Sequence, residues 1–201
     1  MIDGVIKYNF DFKPSLPLNE SKFTKIELLR ERLFTLGLIG VTEDGIGYGN
    51  ISNRLDKERF VITGTQTGHL AQLNASHYAL VEAYDDKQFY LKSTGSIKPS
   101  SEALTHGTIY NLSEEIGAVI HIHSKVLWNF MLLNGYLETE DVEYGSLEMI
   151  EEVERLYASV NPLLNPKFVM AGHEEGVMFF GQTLHDAELT LYEIIEKLLL
   201  P

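Results

Sequence analysis

The segment Ala118-Val-Ile-His-Ile-His123 constrains this chain more than any other. Alternate side chains of a strand point to opposite faces. In a strand, Ile120 and Ile122 therefore share one face, and His121 and His123 share the other. Two imidazoles placed this way stand about 7 Å apart at their backbones. From there they can converge on one ion at ~2.0–2.1 Å per bond. A lone His-x-His is equally compatible with two polar residues on the wet face of a half-buried strand, so the residues around it decide its meaning.

Two further residues belong with the pair. Lys98-Pro99-Ser100-Ser101-Glu102 opens a helix, with Pro99 suited to the first turn and a serine hydroxyl able to cap. Glu102 lies in that first turn. His173 follows an apolar strand and sits in the connection between paired strands Phe168–Met170 and Val177–Phe180. Three neutral imidazoles and one carboxylate suit a single divalent ion, zinc first, with iron, manganese or cobalt as alternatives. Two segments, Gly47–Ser52 and Thr63–Gly68, offer backbone donors and hydroxyls to an anion. Ser100 and Ser101 add helix N-terminal groups beside Glu102. Read singly, each of these segments is an ordinary turn.

The remaining pattern interleaves short strands and helices, which indicates one mixed α/β domain over residues 1–201. Residues 1–18, with Pro14 and Pro17, read as an extended N-terminal arm. Helices are expected over Lys22–Leu36, Val126–Leu133, Leu147–Ser159 and Leu184–Leu200. Further strands are expected over Asn50–Leu55, Arg59–Thr63, Tyr78–Tyr84 and Gln88–Leu91. Composition narrows the function. With 29 acidic against 16 basic residues and a net charge of −13, the surface is wrong for the phosphate backbone of a nucleic acid. A small phosphorylated ligand stays compatible, because backbone N–H groups bind phosphate whatever the global charge. The absence of cysteine excludes disulfides, thiolate ligands and a cysteine nucleophile. No signal-peptide pattern or membrane span is evident, so a soluble cytoplasmic protein is expected.

Taken in order, GYGNISNR (47–54), VITGTQTG (61–68), KPSSEALTH (98–106), AVIHIHS (118–124) and VMAGHEEGVMFFG (169–181) resemble the class II aldolase/adducin family. The resemblance implies a central, largely antiparallel sheet flanked by helices, in a homotetramer with active sites at subunit boundaries. It implies His121, His123 and His173 as imidazole ligands. Glu102 would be the carboxylate that ligates the resting metal or swings off it as general acid/base. Asn50, Ser100, Ser101 and part of the 63–68 loop, with Thr65 or Thr67-Gly68 in the key place, would cradle a phosphate.

The activity implied is a metal-dependent lyase that stabilises the enediolate of a small, possibly phosphorylated ketose, with aldol cleavage as the expected reaction. Epimerases, dehydratases and decarboxylases use the same scaffold chemistry, and the adducin head offers a non-catalytic alternative. The sequence departs from the family pattern in places. Glu174-Glu175 intervene between His173 and Gly176, and the 63–68 loop is longer than usual. The tail tyrosine of the sugar-phosphate aldolases has no counterpart before Pro201, which leaves Tyr136 and Tyr144 as candidate substitutes. His106, one turn from Glu102, reads either as a partner of the site or as a hydrogen-bonded helix histidine. His69, His77 and His185 read as surface or loop residues, and Trp128, Phe130 and Met131 as core or interface. Lys98 and Arg54 read as solvated charges.

Overall fold

The protein is described by a computed structural model over residues 5–200. Its strands are Asn9–Pro14 (β1), Gly40–Val41 (β2), Gly47–Tyr48 (β3), Asn50–Arg54 (β4), Phe60–Thr63 (β5), Tyr78–Asp85 (β6), Tyr90–Gly95 (β7), Ala118–His123 (β8), Lys167–Val169 (β9) and Gly176–Gly181 (β10). Helices Thr24–Thr35 (α1), Ala103–Leu112 (α2), Lys125–Leu133 (α3), Leu147–Tyr157 (α4) and Leu184–Leu199 (α5) interleave with them. One sheet runs β1-β7-β6-β5-β4-β8-β10-β9, while β2 and β3 form a separate hairpin. The β1–β7 pairing is parallel, and the other pairings of the large sheet are antiparallel. The expected mixed α/β class with a largely antiparallel central sheet is therefore the observed one.

Period-two alternation sorts the two cores. In β8, Ala118, Ile120 and Ile122 face the core shared with α1, α3 and α5. Val119 faces the opposite core, built with α2 and α4. β10 divides the same way, with Val177 and Phe179 on the first face and Met178 and Phe180 on the second. Both faces of these strands are thus covered, which explains why they read as nearly continuous apolar runs. His121 and His123 share the face of Val119, which is the face carrying α2 and Glu102.

Caps set the helix starts. Ser146 Oγ accepts the Met149 N–H at 3.2 Å, and Thr183 Oγ1 accepts the Asp186 N–H at 3.2 Å, each satisfying an orphan donor of the first turn. α1 begins at Thr24 rather than Lys22, because Asn19 caps a short 3-10 turn over Glu20–Lys22 instead of the helix itself.

Three expectations need correction. The extended arm is in part an edge strand: β1 pairs in parallel with β7, Asn9 opposite Tyr90 and Pro14 opposite Gly95. Its neighbour Tyr8 is buried, and its hydroxyl donates to the Ser100 carbonyl at 3.0 Å. Residues 1–4 of that arm lie outside the described residues. The strand expected over Gln88–Leu91 is instead Tyr90–Gly95, because Phe89 takes a left-handed φ of 49° and closes the turn. Finally, the helix expected to open across Lys98–Glu102 begins at Ala103, with Glu102 at its N-cap and no side-chain cap bond, because Pro99 is held in an antiparallel bridge to Gly64.

Candidate metal centre

Register brings the site together. On β4, Asn50 lies directly opposite His121 of β8, and on the other side Gly176 of β10 lies opposite His123. The β9–β10 connection folds back through the Gly176 N–H to His173 carbonyl bond at 2.8 Å and the His173 N–H to Met170 carbonyl bond at 3.1 Å. This turn carries His173 over the end of β8. A Cβ at Gly176 would stand 2.6 Å from His173 Cδ2 and 3.2 Å from His121 Cε1, so only glycine leaves room for both rings there.

The three imidazoles converge through one kind of nitrogen. His123 Nε2 is 3.1 Å from His121 Nε2 and 2.9 Å from His173 Nε2. Two nitrogens on one tetrahedral zinc lie ~3.3 Å apart at ordinary bond lengths, so this spacing fits shared ligation. His121 Nδ1 donates to the Val177 carbonyl at 3.3 Å. That bond fixes the tautomer and aims the Nε2 lone pair at its neighbours, the usual arrangement behind a ligating histidine. Tyr48 stacks on the His123 ring at 5.1 Å, and Tyr144 lies against His173 at 4.6 Å. Burial holds His121 and His123 well below the ordinary histidine range, reinforced by the neighbouring imidazoles. They are therefore neutral, as metal ligation requires.

Among the described residues the mutually convergent donors are His121, His123 and His173, and Glu102 lies at the edge of that cluster beside His121. Glu102 occupies the N-cap of α2, buried, with Oε2 3.2 Å from His121 Nε2 and accepting the Asn50 Nδ2–H at 2.7 Å. A carboxylate at a helix N-terminus is favoured by the orphan N–H groups there. Three imidazoles with a carboxylate close by suit a borderline divalent ion.

A cavity opens beside these groups. Asn50, Ser100, Ser101, Glu102, His123 and His173 line it, as do Thr65, Thr67 and Gly68 on the loop opposite. The two segments are tied: the Thr65 N–H donates to the Lys98 carbonyl at 3.0 Å and the Ser100 N–H to the Thr63 carbonyl at 3.2 Å. Thr67 is the exception in its side chain, since its hydroxyl donates to the Gly64 carbonyl at 2.9 Å and so serves the loop. Of the tyrosine candidates, Tyr144 lines the cavity, whereas Tyr136 packs near Phe130 and Lys167.

The family model for the class II aldolase and adducin N-terminal domain matches residues 40–199, most of the chain. The chain belongs to this family. A relative, methylthioribulose-1-phosphate dehydratase of Gluconacetobacter diazotrophicus, is 31% identical over 172 residues, covering 75% of this chain and 80% of that protein. The 3-oxo-tetronate 4-phosphate decarboxylase of Haemophilus influenzae is 27% identical over 186 residues, covering 83% and 78%. Among solved structures, a sugar-phosphate aldolase from Thermotoga maritima superposes with a TM-score of 0.65 at 19% identity, over 90% of this chain and 94% of that one. An L-fuculose 1-phosphate aldolase gives 0.67 at 18%, over 90% and 84%. The fold is theirs, and the chain is a lyase-type member of the class II aldolase superfamily.

Several neighbours of the centre were not legible as such. His106 is fully buried, with Nδ1 2.7 Å from Ser52 Oγ, which in turn lies 2.7 Å from the Tyr110 hydroxyl. It is a hydrogen-bonded helix histidine beneath the site, and burial, reinforced by His121, keeps it neutral. Arg54 is structural: Nη1 donates to the Ser113 and Ile116 carbonyls at 3.0 Å each. Lys98 is exposed beside Phe10. His69 and His185 are exposed and His77 half-buried, while Trp128 Nε1–H donates to the Met170 carbonyl at 3.0 Å at the edge of the first core. Arg30 drew no attention in the sequence, although it falls on the buried stripe of α1 with Ile26, Leu29 and Leu33.

Proposed function

We propose that the chain is a metal-dependent lyase acting on a small phosphorylated hydroxy-carbonyl compound, with His121, His123 and His173 as metal ligands and Glu102 as proton carrier. The convergence of three Nε2 atoms beside a buried carboxylate carries this reading. A divalent ion held there, zinc as first candidate, supplies Lewis-acid stabilisation of negative charge developing on the substrate's oxygens. The Val177 carbonyl keeps the His121 ring oriented. Asn50 steadies the Glu102 carboxylate through its Nδ2–H. Asn50, Ser100, Ser101, Thr65 and the Thr67–Gly68 backbone form the wall that takes the phosphate, with Tyr48 and Tyr144 closing the sides.

In aldol cleavage the Glu102 carboxylate takes the proton of the hydroxyl on the β-carbon. The bond between the α- and β-carbons breaks to release an aldehyde, and the proton passes to the α-carbon of the fragment that keeps the carbonyl. The 31%-identical dehydratase relative supports a second reading. There, the Glu102 carboxylate removes a proton from the carbon beside the carbonyl and passes it to the hydroxyl on the next carbon, which leaves as water. The test is a panel of ketose 1-phosphates and their unphosphorylated counterparts given to zinc-loaded protein. Released aldehyde is followed by coupled reduction, and dicarbonyl product by its absorbance. Turnover of a phosphorylated member that is lost with Glu102→Gln supports the reading, and the product separates its two forms. Turnover unchanged in Glu102→Gln contradicts the assigned role.

A further inference from the structure

Arg30 sits on the core stripe of α1 and is only 1% exposed. A guanidinium does not shed its proton in a protein, so its burial demands partners. Nη2 donates to the carbonyls of Thr67 at 3.1 Å, Gly68 at 3.4 Å and Leu70, and Nη1 to that of Ala71 at 3.2 Å. These partners are backbone oxygens, not a carboxylate. The nearby Glu27 carboxylate is engaged elsewhere, accepting from the Leu73 N–H and the Tyr78 hydroxyl. One buried cation thus holds the carbonyls of a single loop, and the start of that loop lines the cavity.

The consequence follows from peptide geometry. In a trans peptide the carbonyl and the next N–H point in opposite directions, and the described residues contain no cis peptide. Drawing the Thr67 carbonyl inward to Arg30 turns the Gly68 N–H outward. The loop has little freedom to undo this, because Gly68 is wedged against the β2–β3 hairpin: a Cβ there would stand 2.0 Å from the Gly40 carbonyl oxygen and 2.9 Å from Tyr48 N. A charge buried behind the loop is also screened far less than a surface lysine.

We propose that Arg30 is the positioning residue of the anion site: it fixes the 67–71 carbonyls from the core side, so that the Gly68 N–H and the cation behind it face the substrate's phosphate. This rests on the phosphate reading of the cavity given above. The role differs from that of a plain staple, because it predicts an effect on anion affinity that is separate from fold and metal.

The probe is inorganic phosphate, titrated calorimetrically into zinc-loaded protein and into Arg30→Met loaded the same way. The expected result is a variant that keeps its circular dichroism and its metal but binds phosphate at least about tenfold more weakly, because the loop is no longer held in the binding arrangement. Equal affinity in a folded, metal-loaded variant overturns the proposal and leaves the phosphate reading standing. No phosphate binding by the native protein overturns both, while its metal content reports separately on the histidine centre. If Arg30→Met does not fold, hydrogen–deuterium exchange on the native protein decides. Saturating phosphate should slow exchange across residues 64–71, and unchanged exchange there refutes the assignment.

Discussion

Replacing Gly176 with alanine tests the centre through a single methyl group. The Gly176 backbone is outside the left-handed region, so alanine brings no conformational strain and its effect is steric. The new Cβ would sit 2.6 Å from His173 Cδ2 and 2.9 Å from the His173 carbonyl oxygen, against 3.4 Å for ordinary contact. The His173 ring must therefore retreat by 0.8 Å, or the hairpin must open by a similar amount. Metal–ligand distances tolerate only about ±0.2 Å, so such a shift takes His173 out of bonding range unless the other ligands follow. The expected loss in metal affinity is about 10–100-fold, the scale seen when a ligand's support is disturbed. Fold stability should fall by only about 1–3 kcal/mol, as for local overpacking. Competition with a chromophoric zinc chelator measures the first quantity and thermal unfolding of the metal-free protein the second. A folded variant with zinc affinity within about twofold of native would refute the placement of His173 in the donor set.

Three other outcomes are expected. Glu102→Gln should keep metal and fold while turnover falls by about 10²–10⁴-fold, read from metal analysis and the substrate panel together. Asn50→Ala should weaken turnover more than metal content, because it removes the 2.7 Å bond that steadies Glu102 and leaves the three imidazoles in place; equal losses in both would contradict this. The third concerns acid. The Arg155 guanidinium, helped by the Glu140 N–H, holds the Glu152 carboxyl below the usual range. A depressed folded pKa contributes stability that is present above the unfolded value of about 4.3 and lost as pH falls through the folded one. Denaturant titrations of Glu152→Gln should show a shallower loss of stability below about pH 4.3 than native protein, and parallel curves would remove the assignment.

Much of the sheet was legible because its central strands obey a local rule. Ala118–His123 alternates, and the observed strand has those bounds with Ile120 and Ile122 in one core and His121 opposite. The helices expected from Leu147 and Leu184 begin there, each behind a residue type that caps well, Ser146 and Thr183. What escaped was non-local. The parallel pairing of Asn9–Pro14 with Tyr90–Gly95 joins segments remote in sequence, and nothing in either one specifies the partner. β7 runs on past Leu91 because Ser93 is buried on the same face as Leu91, a placement that a serine's polar side chain does not announce. Arg30 had a signal that could have been used: a cation at helical spacing from Ile26 and Leu33 lies on the core face, and a buried cation must be satisfied by something. The hydroxyl of Thr67, by contrast, looked like a ligand contact and turned out to close its own loop. A residue type cannot reveal which of two nearby acceptors a hydroxyl will choose.

The central claim is that His121, His123 and His173 hold one metal ion. The direct measurement is elemental analysis of the purified, untagged protein beside the His121→Ala/His123→Ala double variant. About one zinc or other transition ion per chain, lost in a double variant that stays folded, is the predicted result. A native protein that takes up no metal even after reconstitution would contradict the account and return the fold to a non-catalytic interaction role.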